Sequence, residues 1–204
     1  YGDHRALHSS PTRRSSDLGY QPQAIMDYWV AVGVKEADIT LSWQNLEAVN
    51  RTLVEPEAKR LFWVPEPVEL VLDAPQPLEK RAPFHPDRDE LGERRETVTP
   101  GATVSLPSAD VQKLVEGDLL RLKNLCNCRL RDGRLEHVGD APVKGVSIVQ
   151  WCAAGVPMQL LRPDGSLTDG IAEPVTAELE GEVVQFERVG FVRLERGLAL
   201  FLHR

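Results

Sequence analysis

Cysteine is scarce in this chain: 204 residues hold three, Cys126, Cys128 and Cys152. So small and unpaired a set argues against a disulfide scaffold and suits a reducing compartment such as the cytosol. No apolar run approaches the roughly 18 residues that span a bilayer, which argues against a membrane role. Positive charge is in deficit, with 24 Lys and Arg against 31 Asp and Glu and a formal net charge of −7. That balance speaks against a generic nucleic-acid coat. It leaves a local basic face open, because phosphate is gripped by patches and not by net charge. Catalytic signatures are missing too: there is no Gly-rich phosphate loop, no nucleophile elbow and no helix with paired metal ligands.

What is present describes an ordinary globular protein, 42% hydrophobic and 27% charged, long enough for one large domain or two modest ones. Its opening is odd. "LHSSPTRRSSDL" has too few clustered cations for an RNA-binding arm and no apolar centre for a secretory signal, and it fits an organellar transit peptide only in part. PTRRSSDL is also the translation of CCTACACGACGCTCTTCCGATCT, which resembles a sequencing-adapter oligonucleotide. Residues 1–18 are therefore expected to be an artefactual leader on a truncated reading frame, with native sequence missing upstream.

From Gly19 the pattern becomes structural. Pro22 can open a helix carrying Ile25, Trp29, Val30 and Val32, with Gly33 as its stop. Ser42 can cap a second, striped by Leu46, Val49 and Leu53. From Leu61 onward short β-rich runs follow, among them "LFWV", "VELVLD", "TVSL", "LLRLKNLCNCRL" and "EVVQFERVGFVRL". Turn signals such as "RDGR", "RPDGS" and "RVGF" separate them, which predicts one or two small antiparallel barrels. "EKRAPFHPDRDELGERR" reads as a long ordered loop.

Several groups could carry chemistry. As one strand, 119–131 would place Leu120, Leu122, Asn124, Cys126, Cys128 and Leu130 on a core face. Leu119, Arg121, Lys123, Leu125, Asn127, Arg129 and Arg131 would lie on a basic one. That strip is either an RNA-binding face or a solvated edge kept from aggregating by its charges. Cys126 and Cys128 form C-x-C, half of a zinc site, but they fall on the core face and no zinc is expected. His85 has Asp87 and Asp89 nearby without the third group a catalytic site needs, while Arg88, Arg94 and Arg95 stand available for phosphate. In "QFER", Gln185 and Glu187 share one face and Arg188 falls on the other, offering donors and acceptors suited to base edges.

Five blocks, "ITLSWQNLEAVNRTLVEPEAKRLFWV", "FHPDRDELGERR", "VEGDLLRLKN", "LLRPDGSLTDGIAEP" and "VVQFERVGFVRL", together resemble the C-terminal part of a glutamyl-tRNA synthetase. The archaeal type, whose barrels are like those of glutaminyl-tRNA synthetase, is the nearest match, over residues 19–204. The resemblance implies a mainly β fold: two small antiparallel β-barrels, residues 59–204, that bind the anticodon, preceded by two short α-helices in a connector, 19–58. It implies tRNA(Glu) as partner, with tRNA(Gln) a second candidate, and neither DNA nor a membrane. It implies a cytoplasmic ligase whose ATP and Mg sites lie in an upstream catalytic domain, and no catalytic residue or cofactor here. Carried over by position, the anticodon contacts are Arg60, Lys113, Arg121, Lys123, Gln185, Glu187 and Arg188. Lys113 and Lys123 stand where the glutaminyl relative has arginine, exchanging a bidentate fork for a point charge. A glutaminyl-type synthetase, a stand-alone RNA-binding barrel and a protein-interaction β domain are the competing readings.

Overall fold

The computed structural model describes residues 19–33 and 41–204, so the expectation for the leader at 1–18 lies outside the described residues. Pro22 opens helix α1, Pro22–Val32, where its missing N–H breaks no helical bond, and Gly33 ends it at φ 69°. The Ser42 hydroxyl accepts the Asn45 N–H and starts α2, Trp43–Val54. Both packing faces are offset from the apolar stripes. α1 buries Ala24 and Tyr28 and turns Trp29 and Val30 outward. α2 buries Leu46, Asn50 and Val54, where Leu46, Val49 and Leu53 were expected. Asn50 explains the shift in α2. Its Oδ1 accepts the Gln21 N–H at 2.8 Å and its amide nitrogen lies 2.9 Å from His203 Nε2, so a satisfied polar group takes the core position.

The rest of the chain is built largely of strands that form two rings. In the first the order is Ser147–Val149, Leu119–Leu122, Asn127–Arg131, Arg134–Gly139, Pro67–Asp73 and Thr103–Pro107. A bridge between Ser105 and Cys152 joins the last strand to the chain leaving the first, which closes the ring. In the second the order is Arg60–Leu61, Val183–Phe186, Gly190–Glu195, Leu198–His203, Gln159–Leu161 and Leu167–Thr168. Here Trp63–Pro65 pairs with Gly170–Ala172 and brings the two outermost strands together. The mainly β, two-barrel expectation holds. Purely antiparallel pairing does not. Among the described residues four strand pairs are parallel, including Arg60–Leu61 with Val183–Phe186 and Leu119–Leu122 with Ser147–Val149. These partners are distant in the chain, so no tight hairpin turn joins them.

Residues 60–65 belong to the second barrel yet face both cores. Leu61 and Trp63 point into the second barrel, Phe62 and Val64 into the first. A strand buried on two sides has no polar face, which is why "LFWV" reads as an uninterrupted apolar run.

Two sequence expectations are corrected. Residues 119–131 are not one strand but a hairpin, with Leu119 opposite Arg129 and Leu120 opposite Cys128. Asn124 turns the chain at φ 60°, a conformation Asn tolerates better than most residues. The core side survives the fold-back, since Leu120, Leu122, Cys126 and Cys128 are all buried, but Leu125 and Asn127 are buried too. "EKRAPFHPDRDELGERR" is not a loop but most of a hairpin, Leu78–Pro83 against Glu93–Val98. Leu78, Lys80 and Ala82 point inward while Glu79 and Arg81 point out; a lysine in the core series hides the strand period.

Candidate nucleic-acid interface

A buried chain of charges runs between the barrels. The carboxylate of Glu173 accepts from the Lys80 ammonium and from Arg94 Nε at 2.9 Å through Oε1, and from the Phe62 N–H at 2.7 Å through Oε2. Lys80 and Glu173 side chains are only 1% and 4% exposed, so they neutralise each other in a nearly dry site. Phe62 serves as a floor, with Lys80 Nζ 4.5 Å, Arg94 Cζ 5.0 Å and Lys123 Nζ 5.6 Å from its ring centre. Arg94 reaches on to Glu187, 3.8 Å away.

The expected contact residues fall into pairs along this junction. Glu187 is held by Lys123 through an ion pair and by Gln150 Nε2 at 3.3 Å, so two of the seven candidates neutralise each other. Arg60 and Gln185 are partners on neighbouring strands. The Arg60 guanidinium lies 3.8 Å from Glu55 and lines a cavity of about 280 Å³ with Thr52, His85 and Arg88.

Lys113 and Arg188 meet at a third place, a cavity of about 400 Å³ walled by Leu114, Ile148 and Val149. Arg188 Nη1 lies 2.8 Å from Asp110 Oδ2, its other terminal nitrogen donates to the Ile148 carbonyl, and Lys113 Nζ lies 3.9 Å from Asp110 Oδ1. Arg121 stands apart, donating to Asn127 Oδ1 and to the Asp140 carbonyl, each at 2.9 Å.

The single basic strip expected on 119–131 is therefore not observed. Its lysine faces the second barrel, and Arg131 pairs with Glu136 at 3.4 Å. Arg188 was expected on the face of Val184 and Phe186, but those two fill the second core while Arg188 sits in the hairpin loop at φ 65°. Nor are Arg88, Arg94 and Arg95 free for phosphate. They pair with Glu57 and Glu90, with Glu173, and with Glu93. His85 is buried, and its Nδ1 accepts the Asp87 N–H at 3.1 Å.

Cys126 and Cys128 lie side by side in the first core with their sulfurs 3.5 Å apart. That hydrogen bond lowers the Cys126 thiol pKa and raises that of Cys128, while burial raises that of Cys152. Asp110, Glu173 and Lys80 were missed from the sequence. The alternation of Leu78, Lys80 and Ala82 is the one signal that could have exposed Lys80.

No helix among the described residues is long and apolar enough to cross a membrane. Comparison with known proteins gives a consistent answer. Residues 58–145 and 148–195 each match a family model described as tRNA synthetases class I (E and Q), anti-codon binding domain. The chain is 37% identical to a glutamate–tRNA ligase of Methanoculleus marisnigri over 97% of its length, covering 37% of that protein. It is 40% identical to one from Methanopyrus kandleri over 87% of its length and 34% of the relative's. The Thermoplasma volcanium ligase is 34% identical over 88% of this chain and 32% of the relative. The chain thus spans about a third of the length of these curated relatives. It belongs to the class I tRNA synthetase family of the E and Q type and carries that family's anti-codon binding domain.

Proposed function

We propose that the chain is the RNA-recognition part of a glutamate–tRNA ligase and binds the anticodon loop of tRNA(Glu). The observation that carries the reading is the convergence of Lys113 and Arg188, distant in the chain, on one cavity with an apolar wall. Single-stranded bases can be laid against such a wall and read on their edges. Arg188 offers a planar fork for a base, and Lys113 a point charge for a base carbonyl or ring nitrogen.

Arg60 beside Gln185 forms a second station, with a guanidinium and an amide presenting both donors and acceptors. Arg121 flanks the path. Lys123 and Glu187 hold each other and orient the neighbouring side chains. Residues 19–58 serve as connector and 59–204 as recognition region.

Glutamate activation needs ATP and magnesium, which belong to a catalytic domain outside these residues. The described residues include no group of three His, Cys, Asp or Glu placed to hold a metal. The setting is cytoplasmic, and tRNA(Gln) is a second RNA to test.

The test is a binding titration with Arg188→Ala. It should weaken the tRNA(Glu) anticodon stem-loop about tenfold more than an anticodon-substituted loop. Equal losses on both RNAs would reduce Arg188 to a structural or phosphate role, and absence of any RNA binding by the unmodified chain would overturn the reading.

A further inference from the structure

The cavity beside α3, Ser108–Val111, is lined by two carboxylates: Asp118, whose Oδ2 accepts the Val115 N–H, and Asp110, which sits between the two cations. Its carboxylate is divided: Oδ2 lies 2.8 Å from Arg188 and Oδ1 3.9 Å from Lys113. Such a group decides what the cations can accept. A phosphate offers acceptors alone, so it would compete with Asp110 for the same donors and meet its negative charge. A base edge with an amino group beside a carbonyl or ring nitrogen does neither. Its amino group donates to Asp110 while its acceptor takes an N–H from Arg188.

The remaining geometry fits a ring. Leu114, Ile148 and Val149 supply the apolar wall, with Ile148 49% exposed, and about 400 Å³ lies within the usual range of small-ligand pockets. Arg188 is held for the task by its backbone as well. A non-glycine residue at φ 65° is sparsely populated unless its surroundings fix it, and the Ile148 carbonyl fixes the far end of its side chain.

From this arrangement we propose that Asp110 is a specificity-determining residue of the RNA site, making the cavity take the amino-bearing edge of an unpaired base and refuse a phosphate. The inference rests on the anticodon-binding reading above.

The experiment titrates the full chain with the tRNA(Glu) anticodon stem-loop, with the same loop carrying uracil at each anticodon position in turn, and with an abasic loop. Uracil lacks an amino group, so one replacement should bind the unmodified chain poorly. Asp110→Ala should erase about tenfold of that discrimination. It should also bind the abasic loop more tightly, with a salt dependence steeper by about 0.7 for each cation freed. Asp110→Glu should restore discrimination, which a merely structural role would not predict. Equal weakening of all RNAs by Asp110→Ala, or unchanged discrimination, overturns the proposal while leaving anticodon binding intact. An unmodified chain that treats the native and abasic loops alike overturns the anticodon reading itself, and the role of Asp110 with it.

Discussion

Glu173 is the side chain whose loss should hurt this fold most. It touches Lys80, Arg94 and the Phe62 N–H, and all three belong to buried residues. Glu173→Ala would leave an ammonium in the core with Glu96, 3.3 Å away, as its remaining carboxylate, and would leave Arg94 with Glu187 at 3.8 Å. Breaking a buried pair by removing one partner costs about 3–5 kcal/mol. The unpaired Phe62 N–H adds about 1–3 kcal/mol, and the two surviving carboxylates offset part of the total. A loss of about 4 kcal/mol is expected, a large share of the about 5–15 kcal/mol that holds a native protein together. For a chain of this size that is a fall of roughly 8–16 °C in Tm.

Lys80→Met should be far milder, because it removes a buried charge at similar volume and leaves Glu173 bonded to Arg94 and Phe62. In a double-mutant cycle Lys80→Met should recover part of the cost of Glu173→Ala, since the stranded charge is gone. Urea unfolding with both singles and the double decides it. A Glu173→Ala loss below about 1 kcal/mol, or simple additivity, would show that the buried charges are solvated and do not depend on Glu173.

Burial pushes the His203 pKa below its ordinary value, so its stabilising contribution is complete above about pH 6.5 and is lost as pH falls through the folded-state pKa. The urea midpoint should therefore drop on acidification, with a smaller drop in His203→Gln; an equal drop in both would clear His203. RNA binding should show a shallow salt dependence, a log–log slope near −1, where five free cations would give about −3.5. Anisotropy titrations across salt concentrations check it, and a slope steeper than about −3 would mean that the carboxylate pairs are open in solution.

The fold was legible where one physical signal dominated. Pro22, Gly33 and Ser42 mark helix ends by backbone chemistry, and "RDGR" is a turn because Asp132 and Gly133 both adopt positive φ. Legibility failed where a polar residue took a core place because a distant partner satisfied it. Asn50 does so through Gln21 and His203, and Lys80 through Glu173 and Glu96. Neither partner is near in sequence, so no window centred on the residue contains the reason. The run 119–131 failed differently. Its alternation holds on the first arm and breaks at the start of the second, where Asn127 and Cys128 are both buried, and the turn at Asn124 carries no Gly or Pro to announce it.

The site was legible as residue types and not as pairings. Arg60, Lys113, Lys123 and Arg188 each read as a free cation, yet each lies within 4 Å of a carboxylate: Glu55, Asp110, Glu187 and Asp110 again. This resolves the tension between a net charge of −7 and the proposed RNA partner. A cation held by a carboxylate attracts polyanions weakly at long range, because the field of the pair falls off faster than that of a charge. At contact it remains a directed donor, available to a ligand that can replace or share its partner. Nonspecific adhesion is suppressed by the same acids that position the donors. Discrimination then rests on the shape and hydrogen-bond pattern of what enters, as expected where base edges carry the information and phosphates supply only attraction. An acidic surface with its cations paired at several separate stations is thus a physically sensible way to build the selective RNA reader proposed above.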